Sequence, residues 1–127
     1  YLENSLLGRE ARRQGVYELL ACNEHGRLTD GSRTTLLVNL DRGWMTPPVE
    51  EGALPGTLRA LLVEAGLVRE VPLDLKDLRR ARAAVLANAL RELVPVGELA
   101  GLEGAQGLDP EPAALRDLRA AVAESKR

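Results

Sequence analysis

The chain contains no phenylalanine and only three aromatic residues, Tyr1, Tyr17 and Trp44. A core for 127 residues must therefore be built from Leu, Val and Ala, which bury less area per side chain than aromatic rings do. One cysteine, Cys22, excludes an internal disulfide, and Cys22 with the single histidine, His25, cannot make a Cys/His metal set. Lysine is scarce as well: of 17 basic residues only Lys76 and Lys126 are lysines. No apolar run approaches the roughly 18 residues needed to cross a bilayer, and no charged-then-apolar leader opens the chain. Basic clusters are missing too, and a net charge of −2 with a pI near 5.5 gives no footprint for nucleic acid. These absences predict a cytoplasmic protein with neither a membrane nor a nucleic-acid partner.

What is present is the mixture of a folded globular domain, 45% apolar and 28% charged. The chain opens on Tyr1 inside a helical pattern, with no Met and no N-cap residue ahead of it. That predicts a fragment: one domain over residues 1–127, with more protein before it.

Apolar residues at helical spacing predict an amphipathic helix over 2–14, stopped by Gly15. Residues 16–22 are apolar and β-rich, Asn23-Glu24-His25-Gly26 is a turn, and 34–40 resumes as a strand before the turn Asp41-Arg42-Gly43. A short strand over 44–46, ended by Pro47-Pro48, completes a β-meander. Pro55-Gly56 introduces a helix over 57–65, with Leu58, Leu61, Leu62 and Ala65 on one face and Gly66 at its end. Strand patterns at 68–73, 84–88 and 93–96, a short helix at 74–81 and a last amphipathic helix at 112–125 follow. Residues 101–110, rich in Gly and without periodicity, read as a linker. The class is mixed α/β, as one domain.

Three places could carry chemistry. Gly52-Ala53-Leu54-Pro55-Gly56-Thr57-Leu58-Arg59 sets a glycine-containing loop at a helix start, where free amides and the helix dipole favour an anion. The same pattern also describes an ordinary proline-initiated helix. Arg59 in the first turn is disfavoured by that dipole unless a negative charge docks nearby or an acid elsewhere pairs with it. Asp30-Gly31-Ser32-Arg33-Thr34-Thr35 is a polar run between strand segments, either a surface bulge or the lip of a polar pocket. Asn88 ends an apolar strand, where its amide could serve the backbone or a ligand. Cys22 reads as a small buried hydrophobe and His25 as a turn residue.

Taken in order, residues 5–15, the run Gly26 to Leu36 containing Asp30-Gly31-Ser32-Arg33, Met45-Thr46-Pro47-Pro48, residues 53–59 and residues 88–96 resemble the class-IV aminotransferase and aminodeoxychorismate lyase family, pyridoxal phosphate (PLP) fold type IV. The resemblance covers most of residues 1–98. It implies the carboxy-terminal large domain of that fold, a mixed β-sheet or pseudo-barrel with flanking helices, and pyridoxal 5'-phosphate as cofactor. Asp30 matches the acidic residue facing the pyridine nitrogen, where the family normally has Glu; Asp is shorter by one C–C bond, roughly 1.5 Å. Gly56, Thr57 and Leu58 match the phosphate cup, with the amides of Thr57 and Leu58 as donors; Leu58 stands where the family often has a hydroxyl residue. Tyr1 resembles the tyrosine near the cofactor's phenolic oxygen. Arg33, Asn88 and Ala89 fall on the substrate side, Ala89 where many aminotransferases carry a phosphate-binding Thr, and Thr35 replaces a usual Asn.

The resemblance places the Schiff-base lysine four or five residues before Tyr1, so this chain carries no catalytic lysine, and Lys76 and Lys126 read as surface charge. It also implies a missing amino-terminal domain, a small-molecule substrate and a homodimer. Asn88-Ala89-Leu90 resembles the lyase branch, which releases 4-aminobenzoate and pyruvate from 4-amino-4-deoxychorismate for folate synthesis. The alternatives are a branched-chain or D-amino-acid aminotransferase, and a non-catalytic relative of the fold that serves as a binding module.

Overall fold

Residues 27–28, 34–41, 43–48, 57–87, 93–96, 108–109 and 113–125 are described by a computed structural model. The first strand pair shows how local sequence sets the geometry. β1 (Thr35–Leu40) and β2 (Gly43–Thr46) pair antiparallel with Leu40 opposite Gly43, a tight hairpin. Gly43 sits at φ +108°, a region that residues with a Cβ rarely adopt.

From β2 the chain reaches α1 (Thr57–Glu64), β3 (Val68–Glu70), α2 (Leu75–Arg80), β4 (Ala83–Ala87), β5 (Leu93–Pro95) and α3 (Leu115–Ser125). The five strands form one mixed sheet in the order β3-β2-β1-β4-β5. β2 and β3 are parallel, joined through α1; the other neighbours are antiparallel.

Alternation along the strands sends side chains to both faces, and both faces are covered. Leu37, Trp44 and Val85 face one way, against Leu58 and Leu62 of α1 and Leu115, Leu118 and Val122 of α3. Leu36, Val38, Met45 and Leu86 face the other, against Leu28, Leu73 and Leu78. Two-sided burial explains why Leu36-Leu37-Val38 is a continuous apolar run. With no Phe available the filling is aliphatic, each fully buried Leu or Val contributing about 1.5–3 kcal/mol relative to exposure.

The helix ends follow their residues. In α1, the Gly66 N–H donates to the Val63 carbonyl (3.0 Å) and the Leu67 N–H to the Leu62 carbonyl (3.1 Å), with Gly66 at φ +75°. This is the Schellman arrangement that a glycine after the last turn permits. Asp74 caps α2: its carboxylate accepts the Asp77 N–H (3.1 Å), and the Asp77 carboxylate accepts the Asp74 N–H (3.0 Å).

Two expectations change. The strand expected over 68–73 stops at Glu70: the Val71 N–H still donates to the Thr46 carbonyl (3.0 Å), but Pro72 has no N–H to continue the ladder. The linker-like 101–110 is anchored where it is described, since the Asp109 N–H donates to the Arg82 carbonyl (2.9 Å) and Leu108 packs on the second apolar cluster. The helix expected over 2–14 and the strand over 16–22 lie outside the described residues. None of the described helices is long and apolar enough to cross a membrane.

Candidate functional site

Chain direction collects the candidate residues at one end of the sheet. β2, β3 and β4 run one way and β1 and β5 the other, so the last residues of the first three meet the first residues of the other two. Thr35 is paired with Ala87, Ala87 with Leu93, and Thr46 with Glu70. α1 starts at this same end, because a helix that joins parallel neighbours runs back against them.

The first turn of α1 has the features of an anion site. Its leading amides have no partner within the helix, and the dipole leaves partial positive charge there. Leu58 turns its side chain into the core, so only its amide remains for a ligand. Arg59 follows, and it is 4% exposed. One of its nitrogens, Nη2, donates to the Glu70 carboxylate at 2.7 Å. Glu70 reaches it because it lies two residues beyond Val68 on the strand face that α1 covers. The carboxylate is 41% exposed, so water screens half of the pair. The other nitrogen, Nη1, is buried with no hydrogen-bond partner, the one such side-chain atom among the described residues. A buried donor left unpaired costs about 1–3 kcal/mol, more when charged.

Across the same end, the polar run is fixed on both flanks. Before it, Leu28 is buried and its N–H donates to the Leu73 carbonyl (2.6 Å), with Arg27 bridged to Asp74. Thr34 and Thr35, the last two residues of the run, are buried where β1 begins, and the Thr46 hydroxyl donates to the Leu36 carbonyl (2.8 Å).

Of the residues singled out in the sequence, Thr57 and Leu58 are found where expected, as the first two residues of α1. Tyr1, Asp30, Arg33, Gly56, Asn88 and Ala89 lie outside the described residues. Among the described residues, Thr35 at the start of β1 is the register partner of Ala87 at the end of β4. Lys76 is exposed on α2. No group of three or more His, Cys, Asp or Glu suited to a metal ion occurs among the described residues.

A model of the family "Amino-transferase class IV" matches residues 1–99. The chain belongs to the class-IV aminotransferase family. A branched-chain-amino-acid aminotransferase of Escherichia coli is 32% identical over 112 residues, covering 84% of this chain. Its crystal structure superposes on 94% of the chain with a TM-score of 0.76 at 30% identity. The crystal structure of a candidate 4-amino-4-deoxychorismate lyase from Legionella pneumophila superposes on 98% with a TM-score of 0.83 at 26% identity. Aminodeoxychorismate lyase of Saccharomyces cerevisiae is 32% identical over 78 residues, 58% of this chain. The chain spans 36% of the length of the E. coli relative and 47% of the Legionella chain. Superposition over 98% extends the likeness past residue 99 into α3.

The class-IV family implies pyridoxal phosphate, and the described residues suit its phosphate. Helix-start amides have no acceptor within the helix and the buried Arg59 Nη1 has no partner, so both are donors that phosphate oxygens can serve. The sequence pointed to Arg59 through its position against the dipole. Glu70 was missed; its signal was an acid in the strand after the helix, two residues from the buried Val68.

Proposed function

We propose that this chain is the carboxy-terminal, cofactor-holding half of a two-domain PLP enzyme that splits 4-amino-4-deoxychorismate into 4-aminobenzoate and pyruvate. The observation carrying the cofactor half of this reading is the first turn of α1, where Arg59 holds a buried guanidinium nitrogen without a partner at a helix start whose amides lack intrahelical acceptors. The lyase is favoured by Asn88-Ala89-Leu90 directly after β4. The candidate Legionella lyase adds support, with a TM-score of 0.83.

Pyridoxal phosphate, when bound, supplies the electron sink that stabilises the carbanion left when the substrate's amine-bearing carbon loses its proton. The Thr57 and Leu58 amides hold its phosphate. Asp30 keeps the proton on its pyridine nitrogen by opposite charge, and Tyr1 approaches its phenolic oxygen. Arg33 offers a planar pair of donors for a substrate carboxylate. Asn88 lies beside the substrate, and Ala89, lacking a hydroxyl, leaves the phosphate to the backbone and the α1 end. The lysine that would bond the cofactor and move the proton is expected four or five residues ahead of Tyr1, and the enzyme would work as a cytoplasmic homodimer in folate precursor synthesis.

A branched-chain aminotransferase is the second reading, favoured by the E. coli relative that matches 84% of the chain. The full-length protein loaded with cofactor should release 4-aminobenzoate from aminodeoxychorismate and leave 2-oxoglutarate untouched when given leucine. Glutamate formation from leucine and 2-oxoglutarate without 4-aminobenzoate release would transfer the conclusion to the aminotransferase. Failure to bind the cofactor at all would favour a non-catalytic binding module.

A further inference from the structure

One half-exposed carboxylate does not account for Arg59. A guanidinium has five N–H donors and a permanent charge. Here it is almost wholly buried at the positive end of a helix, where the dipole disfavours a cation, and Glu70 engages one nitrogen while Nη1 stays unpaired. Leu, Met or Ala at position 59 would have avoided both costs, in a turn whose neighbours Leu58 and Leu62 are apolar core. The arrangement becomes favourable when an anion sits at the helix start. The anion offsets the dipole penalty and finds a charge that burial protects from salt screening.

We infer that Arg59 is the buried positive charge behind the α1 anion site and that Glu70 attenuates it, so that the pair sets how tightly a phosphate group is held. Arg59 is a positioning residue: its charge acts on the phosphate through the first turn of α1. It compensates for Leu58, whose side chain is committed to the core. The inference rests on the proposed reading of the site as a cofactor-phosphate site, and it gives Glu70 a sign that a purely structural ion pair would not have. Removing the acid's charge while keeping an acceptor for Nη2 should strengthen phosphate binding.

The test uses the full-length protein as wild type, Arg59→Gln, Arg59→Lys and Glu70→Gln. Dissociation constants are measured for pyridoxal phosphate, for pyridoxal without its phosphate and for inorganic phosphate, the last by thermal shift against chloride at equal ionic strength. Arg59→Gln should weaken pyridoxal phosphate and inorganic phosphate about 10-fold, equivalent to about 1.4 kcal/mol, and leave pyridoxal unchanged. Arg59→Lys should recover much of the loss, and Glu70→Gln should tighten both phosphate ligands about 3-fold. Equal weakening of pyridoxal and pyridoxal phosphate in Arg59→Gln, or weaker phosphate binding in Glu70→Gln, would overturn the inference. If the wild type binds inorganic phosphate but no cofactor, the cofactor reading fails while the same variants, read with inorganic phosphate, still decide the role of Arg59.

Discussion

Leu118 in α3 offers a quantitative test of whether the segment beyond the family match belongs to the domain that carries the site. Its side chain is 0% exposed and lies in the same apolar cluster as Leu58 and Leu62 of α1. Leu118→Ala removes three carbons from a fully buried position in a cluster of Leu, Val, Ala and Trp44. Substitutions of this kind cost about 2–5 kcal/mol, and a side chain with no exposed surface falls near the middle of that range, about 3–4 kcal/mol. For a domain of this length each kcal/mol lowers Tm by about 3–5 °C, which gives a drop of roughly 9–20 °C. Urea unfolding, monitored by Trp44 fluorescence, reads the loss directly. Trp44 is well placed to report, because its indole N–H donates to the Ala114 carbonyl just before α3 (3.2 Å). Ala120→Gln on the exposed side of α3 is the control and should stay within about 0.5 kcal/mol. A loss below about 1 kcal/mol for Leu118→Ala, or one equal to the control, would refute the claim that α3 completes the core under α1.

Further outcomes follow from single contacts. Gly66→Ala should destabilise by about 1–2 kcal/mol in chemical denaturation, because φ +75° costs an L residue that much while the space around it is open. Trp44→Phe keeps an aromatic ring but loses the indole donor to Ala114, costing at least about 1 kcal/mol in urea unfolding followed by circular dichroism, since the variant has no tryptophan. Asp74→Ala should cost about 1 kcal/mol through loss of the α2 cap, and Asp74→Asn less. The Asp74 carboxyl is held below its ordinary pKa, first by the Asp77 amide that donates to it. Its contribution is therefore fully present above the unfolded Asp value and is lost as pH falls through the depressed folded one. The stability difference between wild type and Asp74→Asn should shrink across that acid range, and a constant difference down to strongly acid pH would contradict the assignment.

The parts of the fold legible in the sequence are those governed by near neighbours. Gly66 ends α1 as expected, and the helix expected over 74–81 is found as Leu75–Arg80 with Asp74 as its cap, both set by chemistry that needs only a few residues. The β1–β2 hairpin was readable because Asp41-Arg42-Gly43 separates two apolar runs. Sheet order was not readable: the parallel pairing of β2 with β3 across α1 depends on packing between residues more than twenty positions apart. The over-long reading of β3 came from an alternating pattern that continued to Leu73, where Pro72 removed the donor that pairing needed. At the site, Arg59 was visible as a charge in an unfavourable place, whereas Glu70 needed the sheet to bring it to α1. α3 carried no family motif, yet its Leu115, Leu118 and Val122 fill the face beneath α1.

The central claim, that this chain holds the cofactor while the lysine bonded to it comes from elsewhere in the protein, is tested most directly by reductive trapping. The full-length protein, incubated with pyridoxal phosphate and reduced with borohydride, is digested and the pyridoxyl-modified lysine located by mass spectrometry. The account expects a single modified lysine, shortly ahead of Tyr1, with neither Lys76 nor Lys126 labelled. Specific labelling of Lys76 or Lys126, or no label on a protein that is folded and saturated with cofactor, would contradict it.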